Sequence, residues 1–175
     1  DYPEEFFVER VHNIRRPKPD DFQVKQAVEK IKNSNNPLII SGGGVFYSNA
    51  MEELSSFAIK HNIPVTQTVM GYSSMKRDHS HFLGPIGGLG GKAANNLAKQ
   101  TDLAIAIGTK LADFTTGSWA NFENPEFKLI SINVSRFDAN KHMASSVIGD
   151  AKVSLNELSQ ALGNWKAPDL SLIHI

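Results

Sequence analysis

The sequence predicts an α/β fold, doubly wound around a mainly parallel sheet of five or six strands with helices on both faces. Two observations predict it. Short apolar runs alternate along the chain with stretches that carry apolar residues at helical spacing, which is typical of successive βα units. Three loops that follow predicted strands are rich in glycine, and in such sheets the loops after the strands meet at one edge.

The first predicted strand is Leu38–Ile40, an apolar run of the kind buried on both faces of a parallel sheet. Three glycines follow it: Gly42, Gly43 and Gly44. They permit a sharp turn and are expected to leave bare N–H groups near the next helix, which would suit a phosphate. The stretch is neither G-x-G-x-x-G nor a P-loop, and a tight β-to-α connection without a ligand is the favoured alternative.

Helices are predicted on both sides of this strand. Asp20 or Asp21 caps the first, whose apolar residues recur at i, i+3, i+4 and i+7. Asn49 is expected to cap the second and Asn62 to close it. A second strand is predicted at 64–68.

The middle of the chain contains the second glycine cluster. Residues 71–81 are polar and predict a loop, which leads into the cluster at 83–91. A helix is predicted over 92–99, followed by the clearest strand, Leu103–Ile107, which ends at Gly108.

The last third begins with a long predicted loop at 109–125. Strands are then predicted at 128–134 and 146–148. Ser154 and Glu157 have the spacing of a capping box for a final helix, and Asp150 is a second candidate for the cap of that helix. With this order of elements, the loops Gly42–Gly44, Gly84–Gly91 and Gly108–Gly117 should converge at the carboxyl edge of the sheet.

Composition excludes several classes of function. Eighteen basic and eighteen acidic residues cancel and form no block of one sign, which argues against nucleic acid or a membrane as a partner. The absence of cysteine excludes disulfides, thiol nucleophiles and thiolate metal sites, and it fits a cytoplasmic protein.

No catalytic residue and no metal site is predicted. The six histidines lack the spacing that places two imidazoles on one metal, and no serine lies in a G-x-S-x-G turn. Asp78, His79 and His81 are close in sequence but lie in a polar loop, where solvation is the expected state.

The predicted organisation is an interdomain linker at 1–19, one domain at 20–163 and a tail or linker at 164–175. The basic cluster of Arg15, Arg16 and Lys18 is interrupted by proline and is expected to be solvated. Because the sequence begins at Asp1 without an initiator Met, we expect either a processed chain or a piece of a larger protein.

Six motifs, in order, carry a resemblance to a known family. They are P-L-I-I-S-G-G-G-V, P-V-T-Q-T, F-L-G-P-I-G-G-L-G-G, T-D-L-A-I-A-I-G-T-K-L-A-D-F-T-T-G-S, L-I-S-I-N-V and V-I-G-D-A. Residues 20–163 thereby resemble the Rossmann-like central domain of thiamine-diphosphate enzymes of the acetolactate synthase type. D-Y-P-E-E-F-F-V-E-R-V-H-N-I-R-R-P, F-T-T-G-S and I-N-V-S-R-F-D-A further resemble the trihydroxycyclohexanedione hydrolases of myo-inositol catabolism.

The resemblance implies that catalysis takes place outside this segment. In that family an N-terminal domain supplies a catalytic Glu, and a C-terminal domain holds Mg2+ and the diphosphate of the cofactor. This sequence contains neither domain, so the segment alone is expected to be inactive, with both catalytic domains on the same chain as its partners. The family also implies a homo-oligomer.

Some relatives bind FAD or ADP in the central domain. The matching residues here are Gly42, Gly43, Gly44, Gly87, Gly88, Gly90, Gly108, Thr109, Lys110 and Asn133. Departures disfavour flavin: the two basic positions of G-A-R-F-D-D-R become Lys110 and Phe114, I-G-G-L-G replaces L-G-M-H-G, and Asn133 replaces an acid. A vestigial nucleotide pocket is the favoured expectation. The alternatives are an FAD-binding carboligase domain and a stand-alone nucleotide-binding module.

Overall fold

A computed structural model describes residues 1–169 and shows a six-stranded, all-parallel sheet in the order β3-β2-β1-β4-β5-β6. The strands are β1 (Pro37–Ser41), β2 (Val65–Gln67), β3 (Phe82–Pro85), β4 (Leu103–Ile107), β5 (Lys128–Asn133) and β6 (Ser145–Ile148). This is the doubly wound order, with its switch point between β1 and β4. The predicted fold class is confirmed.

Seven α-helices connect the strands in the described part of the chain. They are α1 (Asp21–Lys32), α2 (Gly43–Tyr47), α3 (Met51–His61), α4 (Lys92–Gln100), α5 (Asp113–Thr116), α6 (Arg136–Ala139) and α7 (Ala151–Leu162). Asp20 caps α1, and Asn62 ends α3 in the left-handed conformation, both as predicted. None of these helices combines the length and apolar character needed to cross a membrane.

The sheet separates two apolar cores. Ile39 and Ile105 face α1, α3 and α7, whereas Leu38, Ile40 and Ala106 face α4. Because side chains alternate along a strand and both faces are covered, β1 and β4 are buried along their whole length. This explains why their sequences are continuous apolar runs.

Three local predictions were wrong. The Phe82–Pro85 segment, most of which was predicted to belong to the glycine cluster at 83–91, is the edge strand β3. Asn49 does not cap α3, because it has φ 54° and the residue that precedes this helix is Ala50, which makes no side-chain cap. Ser154 lies inside α7 and forms no capping box; Asp150 is the cap, and its carboxylate accepts from the N–H groups of Lys152 and Val153.

Two further helices differ from the predicted loops. The glycine stretch itself begins α2, so the turn after β1 is shorter than expected. The long loop at 109–125 contains the single turn α5. Both helices have five residues or fewer, too short for sequence periodicity to detect.

The segment after α7 docks on the domain. His61 is 0 % exposed, and its Nδ1 donates to the Trp165 carbonyl at 2.8 Å. The backbone N–H of Ala167 donates to the His61 carbonyl at 2.8 Å. Residues 164–169, the first part of the predicted tail or linker at 164–175, therefore cover the end of α3, while 170–175 lie outside the described residues.

The buried His61 predicts a pH-dependent stability. Burial lowers the pKa of His61, so the folded state keeps this imidazole neutral at a pH where the unfolded chain takes up a proton. The contribution of the neutral His61 to the free energy of unfolding is fully present above the unfolded pKa of about 6.5. It is lost progressively as the pH falls below that value towards the lower pKa of the folded state. We expect the free energy of unfolding, measured with urea, to fall less between about pH 7.5 and 5.5 in His61→Gln than in the wild type.

The control is His12→Gln, since His12 is exposed in the N-terminal segment. This variant should keep the full pH dependence. Burial also lowers the pKa of His81, so the free energy of unfolding of His61→Gln should still depend on pH, but less steeply than that of the wild type. Equal slopes in all three proteins would contradict the assignment.

Candidate functional site

The carboxyl ends of β1 and β4 meet at the switch point, where two glycine turns contact each other through their backbones. A Cβ placed on Gly44 would lie 2.6 Å from the Gly108 Cα, and one placed on Gly42 would lie 2.4 Å from the Gly108 carbonyl oxygen. Gly108 itself has φ 60°. Only residues without a side chain permit this contact.

The N–H groups of Gly42, Gly43 and Gly44 were predicted to be free of backbone partners, but two of the three are hydrogen-bonded. Gly42 donates its N–H to the Ile107 carbonyl at 2.8 Å, and Gly44 donates to the Gly108 carbonyl at 2.9 Å. That part of the prediction was wrong because the last residue of β4 and the glycine that follows it supply the acceptors. The turn is a tight β-to-α connection, which was the alternative favoured from the sequence.

The third glycine loop joins the same edge through α5. A Cβ on Gly87 would lie 2.4 Å from the Phe114 carbonyl oxygen, and the N–H of Gly88 donates to that oxygen at 3.0 Å. Gly90 donates to the Gly87 carbonyl at 2.8 Å, and the Asn95 side chain accepts from the N–H of Gly87. The three loops thus converge as predicted, and they do so by backbone contact with one another.

Two cavities flank the contact between Gly44 and Gly108. One, of about 580 Å³, extends from Gly44 and Asn133 to Asp150 and residues 14–17. The other, of about 410 Å³, is lined by Gly43, Thr68, Met70, Thr109, Lys110 and Phe114. Both share Gly44, Tyr47 and Gly108, and both have the size of small-molecule sites.

Asn133 holds two loops together. Its Nδ2 donates to the Thr109 carbonyl at 3.2 Å, and its Oδ1 accepts from the N–H of Ser135 at 3.0 Å. A carboxylate has no N–H to donate, so an acid at this position would lose the bond to Thr109. These two hydrogen bonds explain why an amide rather than an acid occupies position 133, and the sequence alone does not reveal them.

The basic cluster before the domain was predicted to be solvated, but two of its side chains form ion pairs with the domain. The guanidinium of Arg16 donates to the Asp150 carboxylate at 3.0 Å and to the Ser48 carbonyl. Lys18 lies 3.3 Å from a carboxylate oxygen of Glu157. No local signal could have found the Arg16 contact, because Asp150 lies far along the chain.

Two of the three polar loop residues singled out in the sequence, His79 and His81, have side-chain hydrogen-bond partners. His79 Nε2 lies 2.9 Å from the Ser55 hydroxyl, and His81 Nε2 lies 3.1 Å from Asn62 Oδ1. Across residues 1–169, no three His, Cys, Asp or Glu side chains are grouped closely enough to hold a metal ion.

Comparisons with known proteins agree on one family. The sequence model described as "Thiamine pyrophosphate enzyme, central domain" matches residues 24–158. A 3D-(3,5/4)-trihydroxycyclohexane-1,2-dione hydrolase from Clostridium perfringens (strain 13 / Type A) is 48 % identical over 162 residues, which are 93 % of this chain and 25 % of that protein. Another protein of that name, from Geobacillus thermodenitrificans, is 44 % identical over 165 residues, 94 % of this chain and 26 % of that protein.

Solved structures agree on the fold. A putative thiamin diphosphate-dependent enzyme from Mycobacterium smegmatis has a TM-score of 0.70 at 20 % identity, covering 89 % of this chain and 30 % of that one. Benzoylformate decarboxylase from Polynucleobacter necessarius has a TM-score of 0.69 at 22 % identity, covering 94 % and 33 %. The chain spans about a quarter of the length of the curated relatives it matches.

The contact between the glycine turns predicts a large difference between two Gly→Ala variants. In Gly44→Ala the new Cβ would meet Gly108 backbone atoms, so β1 and β4 must shift apart. We expect a loss of about 1–3 kcal/mol in the free energy of unfolding, measured with urea. The matched control is Gly88→Ala, where the nearest atom to the new Cβ is a Phe114 ring carbon at 3.4 Å, an ordinary van der Waals contact, and its change should stay within about 0.5 kcal/mol. Similar losses in both variants would contradict the proposed packing role.

Proposed function

This chain belongs to the family of thiamine pyrophosphate enzyme central domains, and we propose that it is the non-catalytic middle domain of a hydrolase that opens the ring of trihydroxycyclohexane-1,2-dione. The observation that carries the proposal is the 48 % identity to a hydrolase of that name over 93 % of the chain. The reaction cleaves a C–C bond of a cyclic 1,2-diketone, in the catabolism of myo-inositol. The complete enzyme would be a cytoplasmic homo-oligomer.

We propose that the cofactor of such an enzyme is held outside residues 1–169, and two observations support this. Within residues 1–169, no three His, Cys, Asp or Glu side chains are grouped closely enough to hold a metal ion. The Gly42 and Gly44 N–H groups, which could have faced a diphosphate, are bonded to backbone carbonyls. We therefore propose that catalytic domains flanking this segment hold thiamine diphosphate and Mg2+.

The role proposed for the domain is to position those catalytic domains. In support, the central strands β1 and β4 are buried on both faces, and the glycine turns that follow them contact each other through their backbones. The crevice at the switch point is proposed to be a vestigial nucleotide pocket. In support, Asn133 bonds to Thr109 and Ser135, and Phe114 stands where flavin-binding relatives carry a basic residue.

The proposal is tested with the complete polypeptide that carries this segment. We expect it to consume the dione only when thiamine diphosphate and Mg2+ are both present, as followed by loss of the dione and appearance of an acid by NMR. The 175-residue chain alone should show no turnover and should not quench or bind FAD in a fluorescence titration.

Two results would overturn this assignment. Turnover of the dione without thiamine diphosphate would exclude the family's chemistry, and an intact dione would exclude the substrate. Stoichiometric FAD binding by the isolated chain would favour the carboligase alternative over a vestigial pocket.

A further inference from the structure

We propose that residues 14–17, named here the strap, couple the preceding catalytic domain to this one, and that Arg16 is a positioning residue for the reaction of the complete enzyme. The inference rests on the proposed function. It concerns how the chain enters the domain, which the family assignment leaves open.

The strap is the first fixed point of the chain. Residues 1–16 are exposed, and the 3-10 turn Glu4–Phe7 buries none of its residues. Contact with the domain begins where the Arg16 guanidinium reaches Asp150 at 3.0 Å and where the Pro17 carbonyl accepts from the N–H of Asp150 at 2.9 Å. Pro19 is buried behind them. The direction in which the linker leaves the domain is therefore set at Arg16 and Pro17.

Arg16 contacts two elements that form the crevice. It donates to the carbonyl of Ser48, the residue that ends α2, and to Asp150, the residue that caps α7. The Ser48 hydroxyl donates to the same Asp150 oxygen at 2.6 Å. Since α2 starts at the glycine turn against Gly108, the strap is connected to the switch point through one short helix.

The negative charge at this junction is buried, whereas the Arg16 guanidinium that pairs with it is partly exposed. Asp150 is only 5 % exposed, and each of its two carboxylate oxygens accepts hydrogen bonds from a different set of groups. Oδ1 accepts from the first turn of α7, whereas Oδ2 is held by Arg16 and Ser48. Arg16 provides the only cationic partner described for Asp150, and a buried carboxylate that loses its cation draws in water or moves.

The strap also forms a wall of the larger cavity, opposite Gly44 and Asn133. A displacement of the strap would therefore change the crevice and the exit direction of the linker together. Catalytic domains that must meet across a shared active site depend on such a direction, because small misplacements of reacting groups are costly.

The test uses the complete enzyme and three variants. Arg16→Gln removes the charge, Arg16→Lys keeps it, and the control Arg10→Gln changes an exposed arginine of the same linker outside the strap. We expect kcat per folded active site to fall about ten-fold in Arg16→Gln, with partial recovery in Arg16→Lys and a value within about two-fold of wild type in Arg10→Gln. The substrate KM should stay nearly unchanged.

A second readout reports the strap directly. The Asp150 N–H donates to the Pro17 carbonyl, so hydrogen exchange in the peptide containing Asp150 should be faster in Arg16→Gln than in Arg10→Gln. In Asp150→Asn, adding Arg16→Gln should cause little further loss of kcat, because Arg16 acts through Asp150.

The outcomes separate this inference from the proposed function. If the wild-type enzyme leaves the dione intact, the proposed function fails. If the wild type is active, the inference is overturned when Arg16→Gln and Arg10→Gln have equal kcat values. It is also overturned when Arg16→Gln lowers only the melting temperature, which is the signature of a purely structural ion pair.

Discussion

The backbone contact between Gly44 and Gly108 is the constraint on which the rest of this structure depends. It joins the turns after β1 and β4, the two central strands on either side of the switch point. Because the turns are this close, α2 must begin directly after β1, and the crevice is divided into two cavities. A side chain at either position would separate the strands that carry both halves of the fold.

The same contact offers an explanation of the glycine clusters other than a phosphate site. A glycine cluster after a parallel strand is compatible with a phosphate site, but it is also the way in which two backbones approach each other. Here the carbonyls of Ile107 and Gly108 accept the N–H groups of Gly42 and Gly44, and the Phe114 carbonyl accepts that of Gly88. The clusters thus satisfy one another, and packing accounts for their composition without a ligand.

The sequence predicts those features that depend on residues close together in the chain, and it misses those that depend on tertiary contacts. β1, β4 and β5 were predicted to within a residue or two, since a strand buried on both faces must be apolar throughout. β3 was missed because it is a half-buried edge strand that contains Gly84 and Pro85. In the candidate site, the convergence of the loops followed from topology. The bonds of Asn133 and Arg16 did not, because their partners are set by tertiary packing.

The two ends of the domain are fixed at opposite ends of one helix. The incoming strap is bonded to Asp150 at the start of α7, and Trp165 and Ala167, just past its end, dock on His61. With 12 residues, α7 is about 18 Å long. It packs on both α1 and α3, so neither end can move without disturbing the larger core. A helix held in this way fixes the separation of the strap and the segment that follows α7, which is the property that the proposed positioning role requires.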